Sequence, residues 1–304
     1  LSYYNAFVKK YPTVQKLAKA QEQEVLKLWQ GLGYYSRARN LHASAKIIHA
    51  KYNGVFPDTY QEIKALKGIG SYTAAAIGSF AFNLPHAVID GNVYRVLSRV
   101  FGITAPIDST KGKKQFEELA QTLLNKKNPA LYNQAIMEFG SQMCKPVNPD
   151  CLSCVLKSKC FAFEKGVVAG LPVKEKKTKI RERYFNYFLL IDKKGDVIYT
   201  KRGPKDIWQG LNELFLIETT GETDLTHLLK NEKLLKVIGK NYVINKKHYK
   251  LKHILSHQRL NSMFYLIKCN KVFGKDFNKI HHSKIHQLAW PRLIDKFLGI
   301  CTLG

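Results

Sequence analysis

Apolar residues in the first half of the chain recur at helical spacing, with turn residues between the segments. Glu24–Trp29 and Phe116–Ala120 show this pattern, in which apolar side chains stand three or four positions apart. A repeat of about 3.6 residues places such side chains on one face of a helix. We therefore predict that the first half of the chain is all-α.

The pattern changes after the charged segment 164–183, which includes the run Val173–Lys179 (VKEKKTK). Such a run cannot bury itself and is typical of an interdomain linker. Beyond it, Tyr184–Ile191 is rich in strand-forming residues, a turn follows at Lys193–Asp196, and Val197–Thr200 resumes the strand pattern. This succession predicts a β-hairpin and, with it, a second domain of α+β class.

Composition and charge narrow the class of protein. The 304 residues suffice for two domains, and their 45% hydrophobic content can form buried cores. No apolar run approaches membrane-spanning length and no secretory signal is recognisable, so we expect a reducing cytoplasmic setting and no membrane. The net charge of +26 favours polyanionic partners. Solubility, or a genome that favours lysine, would give part of the same excess, so charge alone identifies no partner.

Four of the six cysteines are crowded into the pattern C-x6-C-x2-C-x5-C: Cys144, Cys151, Cys154 and Cys160. A thiolate quartet at such spacing can wrap one iron–sulfur cube. Disulfides are an alternative, but they suit small secreted proteins and would leave Cys269 and Cys301 unmatched. A zinc site is the other alternative, although zinc loops usually pair their cysteines as two tight knuckles and only one is present. The spacing favours iron–sulfur over zinc.

A helical hairpin is predicted around residues 59–77. Thr59 and Glu62 are spaced as a capping box for the first helix, and a second helix begins near Ser71. Between them lies a Gly-Ile-Gly turn: Gly68, Ile69 and Gly70. Such glycines let a phosphate approach the unpaired amides of the second helix, which would grip DNA without reading its sequence. An ordinary helical hairpin also favours glycine in its turn.

A second motif, Ile89-Asp90-Gly91-Asn92-Val93, precedes another predicted helix. Asp90 could serve only as the helix N-cap, which is the commonest role of an aspartate there. Negative charge is also favoured beside a helix N-terminus, and a carboxylate near a sugar can stabilise positive charge that develops at the anomeric carbon. Both roles remain open at this point.

These motifs resemble a known family. Leu66–Gly70, Asp90–Val93 and the four-cysteine loop occur in the order found in helix-hairpin-helix DNA glycosylases with an iron–sulfur loop, which include endonuclease III and the adenine DNA glycosylases (the MutY family). Trp29–Leu41 (WQGLGYYSRARNL) and Asn133–Gly140 (NQAIMEFG) resemble the adenine glycosylases specifically. The resemblance covers essentially the whole chain.

The resemblance implies base excision repair, in which adenine mispaired with 8-oxoguanine or guanine is flipped out of the duplex and its N-glycosidic bond is hydrolysed. Asp90 matches the family's catalytic aspartate, and Asn92 belongs to the same motif. Tyr72 stands where bifunctional relatives have a lysine that forms an imine, so a monofunctional enzyme is expected. Tyr72 could instead only pack against the hairpin. Tyr34 matches the tyrosine that wedges into the DNA stack.

The resemblance also implies one 4Fe-4S cluster on the four cysteines, in a loop whose Lys145, Lys157 and Lys159 approach DNA phosphates. It predicts a helical glycosylase domain at 1–163, a linker at 164–183 and a Nudix-like domain at 184–304 that recognises 8-oxoguanine. The expected partner is double-stranded DNA with an A:8-oxoguanine or A:G mismatch. We expect a monomer, located in a bacterial cytoplasm and associated with the nucleoid through DNA.

In the Nudix-like domain, Ser256 and His257 match the residues that contact 8-oxoguanine in relatives. Leu255 replaces the phenylalanine that precedes them there, so an aromatic contact is in doubt. Without the resemblance, these polar residues would be interpreted as a solvated turn. Residues 184–304 contain no glutamate-rich magnesium-binding helix, so diphosphohydrolase activity is not expected.

One departure concerns the general acid. In the family, a segment just upstream of the part that matches Leu1–Tyr4 carries the catalytic glutamate, and Glu22 and Glu24 occupy no matching position. We therefore expect these 304 residues to bind damaged DNA but to excise adenine slowly or not at all. A non-catalytic DNA-binding remnant is the alternative. A bifunctional glycosylase is a weaker one, because it would require lysine at position 72.

Overall fold

The computed structural model describes residues 1–175, 179–270, 274 and 276–301. These residues divide between two compact units, one formed by Leu1–His49 with Thr178–Gly304 and the other by Ala50–Lys177. Residues 176–178, in the centre of the predicted linker, lie outside the described residues. Within the described ranges, no helix is long and apolar enough to cross a bilayer.

Ten helices precede the sheet in the described sequence, which confirms the all-α prediction for the first part of the chain. They are α1 (Ser2–Lys10), α2 (Val14–Lys19), α3 (Glu22–Trp29), α4 (Ser36–Lys51), α5 (Tyr60–Ala65), α6 (Ser71–Phe82), α7 (Gly91–Phe101), α8 (Thr110–Leu123), α9 (Pro129–Gln142) and α10 (Phe161–Glu164). Side chains cap several of them. Thr59, the N-cap of α5, accepts a hydrogen bond from the Glu62 amide, and Ser109, the N-cap of α8, accepts one from the Gly112 amide.

The core of the second unit lies between α7 and α8. Val93 and Leu97 of α7 are buried against Phe116 and Ala120 of α8. The apolar stripe of α7 (Val93, Val96, Leu97, Val100 and Phe101) is buried through Leu97, but Phe101 at its end is 48% exposed. Burial of this stripe therefore fixes the orientation of α7. It also fixes the position of Asp90, which lies at the N-terminus of this helix.

The rest of the described chain contains a mixed sheet and three further helices. The elements are β1 (Arg181–Asp192), β2 (Asp196–Lys201), β3 (Asn212–Glu213), β4 (Phe215–Thr219), α11 (Leu225–Leu228), α12 (Glu232–Ile238), β5 (Tyr242–Ile244), β6 (Tyr249–Ile254), β7 (Gln258–Cys269), β8 (Asn278–His281) and α13 (Arg292–Ile300). The main strand order is β3-β2-β1-β7-β5, with β4 beside β1, β6 beside β7 and β8 beside β2. The predicted α+β class is confirmed.

The two long strands at the centre of the sheet, β1 and β7, are parallel. Their register runs from Arg181 opposite Gln258 to Asp192 opposite Cys269, whereas the other pairings are antiparallel. The predicted hairpin joins β1 to β2, and Gly195 in its turn has φ +80, a left-handed conformation that suits glycine. This hairpin is confirmed.

Each face of the sheet has its own core. Phe185, Tyr187 and Leu189 of β1 point to one face, while Phe188 and Leu190 point to the other, as the two-residue period of a strand requires. The first core also contains residues from the helices and turns that precede residue 50: Leu17, Ala18, Val25, Leu26, Tyr35, Ala38 and Ala45. These helices therefore pack on the sheet, which the sequence pattern does not predict. Helical periodicity identifies the apolar face of a helix but not the surface that covers it.

Candidate active site and DNA interface

The predicted hairpin joins α5 to α6 through residues 66–70. The Ile69 amide donates to the Leu66 carbonyl at 3.2 Å, and Gly68 has φ +78, where a side chain would be strained. Gly70 has an ordinary extended conformation, and nothing lies within 4 Å of the position that a Cβ would occupy there. Gly68 thus serves the turn, whereas Gly70 leaves open space above the first amides of α6.

Asp90 caps the N-terminus of α7. Its Oδ1 accepts from the amides of Asn92 and Val93, each at 2.8 Å, and its Oδ2 accepts from Asn92 Nδ2 at 2.8 Å. Three hydrogen bonds therefore fix the carboxylate, which remains partly exposed. The N-cap role is real, but it is compatible with the catalytic role because it also sets the direction of the carboxylate.

A buried arginine continues this network. Arg95, 9% exposed, donates from Nη2 to Asn92 Oδ1 at 2.8 Å and from Nε to the Cys144 carbonyl at 2.6 Å. The same guanidinium donates to the Gly140 carbonyl. Burial lowers the pKa of Arg95 from its ordinary value. The sequence motifs do not indicate a role for Arg95. The available signal for its burial is its position three residues after Asn92, among the mostly apolar residues of α7.

Tyr72 lies in the first full turn of α6, with 47% of its surface exposed. It lines a cavity of about 960 Å³ together with Tyr60, His86, Ile89 and Tyr94. His86 stacks on Tyr60 with ring centroids 4.2 Å apart, and burial lowers the pKa of His86. The ring of Tyr72 is therefore partly exposed beside this cavity, and its predicted role stays a prediction.

The four predicted cluster ligands are free thiols, each partly buried, and all four line one cavity. Burial and the neighbouring cysteines raise the pKa of Cys151. Four thiols that line one cavity are a donor set that suits an iron–sulfur cluster.

A second buried arginine holds the cysteine loop. Arg99, 2% exposed, donates from Nη1 to the Cys144 sulfur at 3.4 Å and to the Lys145 carbonyl at 2.7 Å. Its Nε donates to the Val168 carbonyl at 3.0 Å. Arg95 and Arg99 lie one helical turn apart, so one face of α7 supports both Asp90 and the loop. Lys145, Lys157 and Lys159 are all exposed on this loop.

In the other unit, Tyr34 lies in the turn before α4. Its ring is 69% exposed, its φ is +46, and the Arg37 guanidinium lies 5.5 Å from the ring centroid. The next residue, Tyr35, is buried. A large exposed aromatic ring on a tight turn suits a wedge, because the turn projects the ring away from the protein.

Ser256 and His257 lie exposed in the turn between β6 and β7, and Ser256 Oγ is 3.2 Å from His257 Nδ1. The Leu255 amide donates to the Gln258 carbonyl at 2.8 Å and closes the turn. Leu255 packs against the core. The structure thus keeps Leu255 inward and the two polar side chains outward.

Comparison with known proteins agrees with this arrangement. Residues 1–126 match the family model described as HhH-GPD superfamily base excision DNA repair protein, and residues 186–299 match a NUDIX domain. The adenine DNA glycosylase of Buchnera aphidicola subsp. Baizongia pistaciae is 32% identical over 289 residues, which cover 93% of this chain and 78% of that protein. The human adenine DNA glycosylase is 43% identical over 166 residues, 54% of this chain and 30% of that protein.

Among solved structures, a thermostable thymine-DNA glycosylase matches with a TM-score of 0.50 at 30% identity, over 54% of this chain and 76% of that one. The Buchnera match, in contrast, runs through both the helical part and the sheet. The resemblance inferred from the motifs is therefore confirmed, and the chain belongs to the adenine DNA glycosylase family of DNA N-glycosylases.

Proposed function

We propose that this chain recognises adenine opposite 8-oxoguanine or guanine in double-stranded DNA and serves its removal, within the base excision repair that its family performs. The observation that carries the proposed removal is the fixed carboxylate of Asp90 at the N-terminus of α7. Adenine release breaks the bond between the sugar and the base, and positive charge develops on the sugar. A carboxylate that is already oriented stabilises this charge without reorganisation.

The chemistry we propose is hydrolysis without strand cleavage. A water oxygen forms the new bond to the anomeric carbon and the water releases one proton to the solvent, while adenine leaves with the electron pair of the broken bond and takes up a proton from a general acid. Tyr72 supports this assignment because a phenol cannot form the imine that precedes strand cleavage. Asn92 holds Asp90 through its side-chain amide and completes the predicted catalytic set.

We also propose that Cys144, Cys151, Cys154 and Cys160 hold one 4Fe-4S cluster. The chemistry of the donors supports it, since thiolates are the ligands of such clusters and all four line one cavity. When bound, the cluster would organise the loop rather than act on the base. The exposed Lys145, Lys157 and Lys159 on this loop would then meet DNA phosphates.

The lesion side of the mismatch is assigned to the other unit. The exposed Tyr34 would wedge into the stack, and Ser256 and His257 would contact 8-oxoguanine. The exposure of all three side chains supports these roles. The protein is proposed to act as a monomer.

The proposal is tested by duplex binding in fluorescence anisotropy at fixed salt. Binding is the readout because it reports directly which base pair the chain recognises. We expect the chain to bind an A:8-oxoguanine duplex at least about tenfold more tightly than a matched A:T duplex, with A:G between them. Asp90→Asn should leave this order unchanged, because Asp90 serves the chemistry. Equal affinity for the three duplexes would contradict the proposal.

A further inference from the structure

One face of α3 is hydrogen-bonded to backbone groups of loops in the second half of the chain, within the same compact unit. Gln23 and Lys27 of α3 and its C-cap residue Gln30 stand at positions i, i+4 and i+7, which share a helix face. Gln23 Nε2 donates to the Gly210 carbonyl at 2.8 Å, and Lys27 Nζ donates to the Leu288 carbonyl at 3.0 Å. Gln30 accepts from the Trp290 amide at 3.1 Å. Because the partners are backbone groups, these bonds fix loop positions and not only side chains.

The loop at 202–211 is held from two sides. Arg39 of α4 donates from Nη1 to the Gln209 carbonyl at 2.6 Å, and Arg202 donates from Nε to the Ile207 carbonyl at 2.8 Å. Between these contacts, Trp208 has φ +62, although its ring is buried. A left-handed conformation costs a bulky residue about 1–2 kcal/mol, so it persists only where the surroundings impose it. Arg39 is one of several groups that hold the loop around Trp208.

Trp208 in turn supports the strand that leads into the recognition turn. Its ring meets the His253 ring edge-on, with centroids 5.6 Å apart. Burial lowers the pKa of His253, so this imidazole is mainly neutral at pH 7. Leu255, two residues further, packs in the same core as Trp208. A continuous series of contacts therefore leads from Arg39 to the turn that carries Ser256 and His257.

The start of α4, which includes Arg39, also holds the segment that carries the Tyr34 wedge. The Arg39 amide donates to the carbonyl of Tyr35, the residue after Tyr34. Tyr35 is buried in the core that also contains Trp208. A displacement of the start of α4 would thus move the wedge and the recognition turn relative to each other.

We infer that Arg39 and Gln23 are positioning residues for lesion recognition: they fix the Tyr34 wedge relative to the Ser256–His257 turn, so that both meet one mismatch as parts of one rigid body. The inference rests on the proposed function. Arg39 and Gln23 act through the loop at 202–211. Their loss should reduce discrimination between 8-oxoguanine and guanine more than it reduces the affinity for DNA.

The test measures the ratio of dissociation constants for A:G and A:8-oxoguanine duplexes, with the 304-residue chain. Arg39→Met removes the contact with the Gln209 carbonyl, and Lys46→Met removes the same charge from the exposed part of α4 as a matched control. We expect the ratio to fall about threefold to tenfold in Arg39→Met and to stay unchanged in Lys46→Met. Arg39→Lys should restore part of the ratio. Thermal unfolding shows that each variant is folded, and Gln23→Met provides the same comparison if Arg39→Met does not fold.

A second arm separates positioning from a merely structural role. In a chain that already carries Ser256→Ala and His257→Ala, Arg39→Met should change the ratio no further, because the turn through which it acts is gone. A wild-type preference that Arg39→Met retains would overturn the inference while leaving the proposed function intact. An equal fall of the ratio with and without the turn would overturn it as well. A wild-type chain without preference would overturn both.

Discussion

A single buried guanidinium, that of Arg95, joins the candidate catalytic carboxylate to the cysteine loop. Asp90 could be predicted from the sequence because its motif is local and lies before a recognisable helix. Arg95 could not, because an arginine on a helix is usually solvated and only the folded chain shows its burial. Its partners, Asn92 and the carbonyls of Gly140 and Cys144, come from two separate segments.

Arg95→Met should therefore lower the free energy of unfolding by about 2–3 kcal/mol, because it leaves buried carbonyls without a donor. Arg95→Lys should lower it less, since an ammonium can still reach one of the carbonyls but cannot bridge them all. Urea unfolding of the helical signal measures both. Arg37→Met is the control, because Arg37 is exposed and should change stability by less than about 0.5 kcal/mol. Equal stability of Arg95→Met and the wild type would show that the network is not formed.

At the scale of elements, the hairpin between α5 and α6 could be predicted almost completely. The Gly-Ile-Gly turn and the capping pair Thr59 and Glu62 are adjacent in sequence, so local rules suffice. The approach of α9 to α7 could not be predicted in this way. A Cβ at Gly140 would lie 2.7 Å from the Asn92 Cβ, so this glycine permits a contact between distant helices that no local pattern records.

The two glycines of the hairpin should respond differently to alanine. Gly68→Ala places a side chain at φ +78 and should cost about 1–2 kcal/mol of stability. Gly70→Ala meets no atom and no strain, so its stability should stay within about 0.5 kcal/mol of the wild type. The added methyl group would nevertheless occupy the space that a phosphate needs, and the affinity for any duplex should fall about tenfold. Unchanged binding by Gly70→Ala would remove the hairpin from the DNA interface.

At the scale of the whole molecule, both fold classes were predicted correctly, whereas the association of residues 1–49 with the sheet was not. The two facts have one cause. Periodicity and turn residues are properties of short segments, but Leu26 and Phe185 meet in one core although 158 intervening residues separate them in sequence. The predicted boundaries at 163 and 184 stay a prediction about domains, which need not coincide with compact units.

The net charge of +26 is a property of the whole chain. The proposed DNA interface requires that only some of these positive side chains, including the lysines of the cysteine loop, contact DNA phosphates. Replacing Lys145, Lys157 and Lys159 by methionine should reduce the slope of log affinity against log salt by about 2–3, since each phosphate contact contributes about 0.9. The control replaces Lys230, Lys233 and Lys236 by methionine, which removes the same amount of charge. These lysines are exposed on and just before α12. This second triple variant should leave the slope nearly unchanged, because the proposed DNA interface assigns no phosphate contact to α12. The two slopes are measured by anisotropy between about 50 and 300 mM salt. Equal reductions in both variants would mean that the cysteine loop makes no phosphate contacts and that the excess charge attracts DNA only collectively.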